Sequence, residues 1–258
     1  MNARELTVAI CLLLALSTLS ACNEGGEEEP APDTNAGDMN VKEENAADSG
    51  LHHTISAGED LPRWHISPYG ETSTITAATD VEDLRRIWGT EAVQSPVNIL
   101  QEEGETLPGA ILFPDEPERR LEIVWNNPEE EASPFRIILK GSHSRWQLPA
   151  GIGLGIGMDS LIELNGKPIS FLGFGWDNAG MVMDWNEGEL QEMEDPHGSV
   201  KVFLEPDARA YEMLQPAMRS QVSGDQIVIS DHPACPMVRP TVGKIIVEFR
   251  GTRNEDFN

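Results

Sequence analysis

Leu121-Glu122-Ile123-Val124-Trp125 and, ten residues on, Phe135-Arg136-Ile137-Ile138-Leu139-Lys140 decide the fold class. In the first, Leu121, Ile123 and Trp125 face one way; in the second, Phe135, Ile137 and Leu139 do so. A period of two is the spacing of a strand that buries one side, because successive side chains point to opposite faces of a sheet. The pattern recurs in Val200, Val202 and Leu204. It returns in Ile245, Val247 and Phe249, where Lys244, Glu248 and Arg250 occupy the other face. Strands with one wet face favour antiparallel pairing over the doubly covered parallel sheet.

Helices are few and short. Thr79-Asp80-Val81-Glu82 has the spacing of a capping box, Leu84, Ile87 and Trp88 follow on one face, and Gly89 ends the run. Ser160-Leu161-Ile162-Glu163-Leu164-Asn165-Gly166 repeats the design. Aligning Gly89 with Gly166, an offset of 77 residues, superposes Leu84 on Leu161 and Ile87 on Leu164. Three candidate strands follow each helix: Val97 to Leu100, Ala110 to Phe113 and Leu121 to Trp125 after the first, then Ile169 to Phe174, Met181 to Trp185 and Val200 to Leu204 after the second. The expected fold is therefore α+β, mainly antiparallel sheet with few short helices. It divides into two αβββ units at about 75–140 and 150–205, with carboxyl-terminal strands within 222–250. The alternative is that two capped helices resemble each other by chance.

The capped helix, its leucine and the glycine before a hairpin faintly resemble the small αβ lipoproteins of outer-membrane assembly and the tandem β-lactamase-inhibitor-like fold. The resemblance spans about 20 residues per unit and carries no site residues across. It implies binding of another protein and no catalysis.

The amino terminus gives an address. Arg4 precedes an apolar stretch from Leu6 to Leu19, too short for the roughly 20 residues that cross a bilayer as a helix, which is the build of an export signal. Leu19-Ser20-Ala21-Cys22 resembles the lipobox of bacterial lipoproteins. That resemblance implies a signal peptide at 1–21, a diacylglyceryl thioether on Cys22, and attachment to the outer membrane through acyl chains that bury about 0.8 kcal/mol per methylene. Residues 22–60 are acidic, rich in Gly and Pro and poor in apolar side chains, the composition of a tether; 61–258 form the folded part.

With 18 Lys and Arg against 44 Asp and Glu the chain carries a formal charge of −26. Residues 61–258 alone hold 32 acidic and 16 basic residues, a charge of −16, so the excess is not confined to the tether. Such a field repels nucleic acid. Once Cys11 leaves with the signal and Cys22 is acylated, Cys235 is the one ordinary thiol, so neither an intramolecular disulfide nor a Cys-rich zinc site is available.

The string most suggestive of a ligand is Gly173-Phe174-Gly175-Trp176-Asp177-Asn178-Ala179-Gly180, followed by Met181 to Asn186. Glycines flanking an aromatic residue let a ligand approach its face, and Trp176, Trp185 and Trp146 with Asp177 are the candidate platform for a sugar ring or a peptide side chain. The plain alternative is a hairpin whose turn is Asp177-Asn178-Ala179-Gly180. Asp177, Asp184 and Glu187 could instead supply the acid and nucleophile of a glycan hydrolase, which need a spacing of about 5 Å. Counting from Asp184, Gly188 falls fifth, against the sixth position an EF-hand loop requires. The ribbon Gly151 to Gly157 lacks the Lys-Ser/Thr of a phosphate loop and is expected to be a flexible or bulged connection, without nucleotide. The resulting expectation is a lipid-anchored binding module for an envelope protein or glycan, without metal or cofactor. Its alternatives are a carboxylate hydrolase and a structural lipoprotein.

Overall fold

A computed structural model describes residues 64–68, 73–101, 104–193 and 198–249. The expected signal peptide, Cys22 and the expected tether lie outside the described residues. So does Arg250, expected on the outer face of the last strand.

Among the described residues the alternating segments form nine antiparallel strands in two sheets. The larger holds β1 (Val93–Leu100), β2 (Thr106–Leu112), β3 (Leu121–Asn127), β4 (Ala132–Lys140), β7 (Gly198–Glu205) and β9 (Thr241–Phe249), in the order β1-β2-β3-β4-β9-β7. The smaller is β6 (Val182–Asp184), β5 (Ser170–Leu172) and β8 (Ile227–Ile229), in that order. Five short α-helices accompany them among the described residues: α1 (Val81–Trp88), α2 (Met158–Asn165), α3 (Ala208–Met213), α4 (Pro216–Arg219) and α5 (Cys235–Val238). The fold is α+β and mainly antiparallel.

One face of the large sheet is the core. Ile123, Ile137, Val247 and Val200 are successive cross-strand neighbours, as are Leu139, Ile245 and Val202. All are buried, in one cluster with Leu84 of α1 and Leu161 of α2. Burying a large aliphatic side chain contributes about 1.5–3 kcal/mol, so these rows dominate the stability of the sheet.

Several expectations are corrected. The strands after the two helices pair differently: β1, β2 and β3 are consecutive neighbours in the large sheet, whereas β5 and β6 belong to the small sheet and β7 joins the large one beside β9. Phe135 does not share a face with Ile137 and Leu139. Trp125 pairs with Pro134 and Val124 with Arg136, so Phe135 is the extra residue of a bulge and packs on the opposite side. That opposite side is only partly wet. Ile99, Val124, Ile138, Phe203 and Ile246 form a second buried cluster there, and β1, which contributes Ile99, carries a bulge between Gln94 and Val97. Gly109 permits the close packing of β1 and β3 on β2, since any Cβ on it would collide with the Ile123 carbonyl and the Ile99 side chain.

The caps also differ. α1 is capped by Asp80, not Thr79: the Asp83 amide donates to Asp80 Oδ1 at 2.7 Å and Asp83 reciprocates. α2 begins at Met158 after Gly157, so Ser160 lies inside the helix and caps nothing. The ribbon Gly151–Gly157 is an ordered link. The Gly155 amide donates to the Val242 carbonyl at 2.8 Å, the Val242 amide donates to that of Ile156 at 2.8 Å, and Ile152 and Leu154 enter the core.

Candidate functional site

The hairpin between β5 and β6 forms as its turn residues require. The Ala179 amide donates to the Trp176 carbonyl at 3.1 Å, and Gly180 takes φ 71°, a conformation that disfavours a side chain. Gly180 also lies flat on β7: the Leu204 amide donates to its carbonyl at 2.8 Å, and a Cβ there would overlap Leu204. This close approach sets the Trp176 loop over the end of the large sheet where β4 and β7 finish and β9 begins. Gly173 fixes the base of the loop, donating to the Gln226 carbonyl at 2.9 Å and accepting from Trp176 Nε1 at 2.9 Å.

Between loop and sheet is a concavity of about 550 Å³. Trp176, half-buried, and Asp177 form part of its wall with Phe174, Phe203 and Tyr211. Lys140, Lys244, Glu205 and Glu212 supply its charges. Tyr211 is anchored from behind: its hydroxyl is 2.6 Å from Ser223 Oγ, and its ring stands edge-on to Phe174 with centroids 5.9 Å apart. The floor is backbone, where Gly141 donates to the Gly243 carbonyl at 3.1 Å and Glu205 lies across the space a side chain at 243 would need.

Of the four residues proposed for binding, the fold brings Trp176 and Asp177 to this wall and removes the other two. Trp146 is fully buried, edge-on to Trp64 at 5.0 Å and to Trp88 at 5.6 Å, with Nε1 donating to the Arg119 carbonyl at 2.7 Å. Trp185 is buried against α2, its carbonyl accepting from Asn165 Nδ2 at 2.8 Å. Neither offers a face to a ligand, which corrects the three-tryptophan platform. The proposed acid set divides likewise. Asp184 accepts from the Asn186 amide at 2.7 Å and Glu187 lies 3.8 Å from Lys167, both outside the concavity, where Asp177 instead meets Glu205 and Glu212. Among the described residues no group of three His, Cys, Asp or Glu could hold a metal ion. Cys235 is buried, and burial, followed by the negative charges of Asp231 and Asp159, pushes its thiol up to about 11; an attacking thiolate is therefore disfavoured.

Two further hollows adjoin the first. One of about 710 Å³ is lined by Arg119, Arg120, Arg145 and His143 with Asp115, Glu116 and Glu118. The other, about 270 Å³, has Ile138 and Ile246 as its apolar floor and Arg136 at its side. Lys140 belongs to all three hollows and Lys244 to two. Together their walls hold six Lys or Arg and six Asp or Glu, a balance, in a chain where acids outnumber bases 44 to 18. Alternation along the strands puts Lys140 and Lys244 on the wet face, yet their meeting depends on β4 pairing with β9 across a hundred residues, which no local pattern announces.

Compared with known proteins, the chain matches no family model, no curated protein and no solved structure.

Proposed function

We propose that the protein is a lipoprotein attached to the bacterial outer membrane through Cys22, and that its folded part is a non-catalytic module that binds an envelope glycan in the Trp176 concavity. One observation carries the reading: Trp176 stands half-buried in the wall of a hollow of about 550 Å³ that also presents carboxylates and ammonium groups. A ring face beside hydrogen-bonding groups suits a saccharide, which has apolar C–H faces and a polar rim. The hollow is concave, whereas a flat or convex aromatic face would have favoured a folded protein as partner.

The test is titration of the mature chain with soluble envelope glycan fragments, followed by calorimetry. Stacking worth about 1 kcal/mol predicts that Trp176→Ala weakens binding about fivefold, with the melting transition retained. Equal affinities of wild type and variant would refute the reading. A second reading, glycan hydrolysis, has one observation behind it: Asp177, Glu205 and Glu212 line the same hollow. Release of new reducing ends that disappears in Glu205→Gln would replace binding by catalysis.

A further inference from the structure

The small sheet turns one face to the core and leaves the other in water. Phe171, Val182 and Val228 are cross-strand neighbours and pack inward. Because side chains alternate along a strand, the next rows face out: Asp184, Ser170 and Ile229 in one, Leu172 and Ile227 in the other. Ile227 is 65% exposed, Ile229 50%, and Met183, the extra residue of the bulge in β6, 45%. These are three of the six large apolar side chains exposed among the described residues, gathered on strands of three residues each. Single exposed apolar residues are ordinary on any surface, whereas several together mark an interaction site.

The rim of this patch has one sign. Asp184 shares its row with Ile229, and Asp225 and Asp231 stand at the two ends of β8; all three are exposed. None of them forms an ion pair among the described residues. Neither the three strands nor residues 225–231 contain a Lys or Arg, and Lys167, just ahead of β5, is engaged with Glu187 at 3.8 Å. A second copy of the chain would bring the same aspartates face to face, and anionic lipid would meet the same repulsion. The complementary partner is apolar at its centre and positive at its edges.

We infer that the outer face of the small sheet docks a cationic segment of another polypeptide. Apolar side chains of that segment sit on Ile227, Ile229 and Met183, and Lys or Arg residues beside them reach Asp184, Asp225 and Asp231. The unbranched thioether of Met183 adapts to the shape of what lies on it. The surface is separate from the glycan reading, since none of these residues lines the Trp176 concavity.

The unacylated chain is titrated calorimetrically with three short synthetic peptides: alternating leucine and serine between terminal lysines, the same peptide with terminal glutamates, and a peptide of lysine and serine alone. The first is expected to bind at least about tenfold more tightly than either of the others, because only it satisfies both the apolar centre and the acidic rim. Ile227→Ser and Ile229→Ser should each weaken it about tenfold and retain the melting transition, since both side chains are exposed. Asp184→Asn combined with Asp225→Asn and Asp231→Asn should bring the lysine-ended and glutamate-ended peptides within about twofold of each other; asparagine at 184 keeps an acceptor for the Asn186 amide. Trp176→Ala should change none of these affinities. Equal affinity of the first peptide for wild type and the two isoleucine variants overturns the docking surface, as does no preference of the wild type among the three peptides. A dimer in sedimentation equilibrium that Ile229→Ser dissociates would overturn it in favour of a second copy, and flotation on phosphatidylglycerol vesicles that Ile229→Ser abolishes would overturn it in favour of the bilayer.

Discussion

Glu248 sits in the row Val124, Arg136, Glu248 and Ser199 on the half-covered face of the large sheet. Arg136 donates to its Oε1 through Nε at 3.0 Å and Nη2 at 2.6 Å, and Lys201 Nζ lies 3.1 Å from Oε2. Burial alone would raise the pKa of this carboxyl, but Lys201 and Arg136 outweigh it and hold the group below its ordinary 4.5. A carboxyl whose folded pKa is depressed contributes stability that is fully present above its unfolded pKa and is lost as pH falls through the folded one. Glu248→Gln should therefore be less stable than wild type by about 2 kcal/mol at pH 7, the scale of hydrogen bonds to a charged group. The gap should narrow as pH drops below 4.5, and urea titrations at several pH values measure it. A gap independent of pH would mean that the glutamate acts through packing alone. The carboxylate also joins strands β4, β7 and β9, through Arg136, Lys201 and its own place in the sheet.

At the scale of elements, a shift of one residue separates the legible part of the sequence from the rest. Both helices announce themselves through periodic apolar residues and a terminal glycine, and α1 and α2 end where Gly89 and Gly166 place them. Their starts are less certain because Thr79 and Asp80 are both good caps; Asp80 prevails since Thr79 is buried and its hydroxyl accepts from the Thr76 amide at 2.9 Å. Asp80→Ala should then cost about 1 kcal/mol, while Ser160→Ala, at a position without a cap, should leave the unfolding midpoint unchanged. Equal losses from both would contradict the two helix starts. The two helices share a terminal glycine but not a cap, and the strands after them diverge, because a local pattern fixes that a segment is a strand and not which strand it joins. Val200–Leu204 reads as the third strand of a repeat and is in fact held by β9, forty residues later. Trp185 and Trp146 failed as ligand contacts for a related reason: a tryptophan's sequence neighbours do not say whether a distant helix or a second tryptophan covers it. Trp176 differs because two glycines and a tight turn hold it at the end of a hairpin.

For the whole molecule, the carboxyl-terminal strand completes the design. β9 lies between β4 and β7, so the large sheet stays divided until the last described strand is in place, and the same insertion aligns Lys244 with Lys140. The hollow is thus assembled from strands far apart in the chain, while the proposed address lies in the first residues. Those residues carry their own physical problem, since a chain of charge −26 is repelled by anionic lipid and has no electrostatic reason to remain at a bilayer. No helix among the described residues is long and apolar enough to cross a membrane, and a half-buried groove with three cations offers too little charge to offset the excess of acids. In the proposed lipoprotein, attachment therefore falls to the acyl chains on Cys22, each methylene contributing about 0.8 kcal/mol. Cys22→Ala should move the exported protein from the membrane pellet to the soluble fraction and abolish labelling by radioactive palmitate. Since hydrophobic anchoring is insensitive to screening, washing membranes with 1 M salt should leave the wild type bound; release by salt would mean that a protein partner or ionic contact holds it instead.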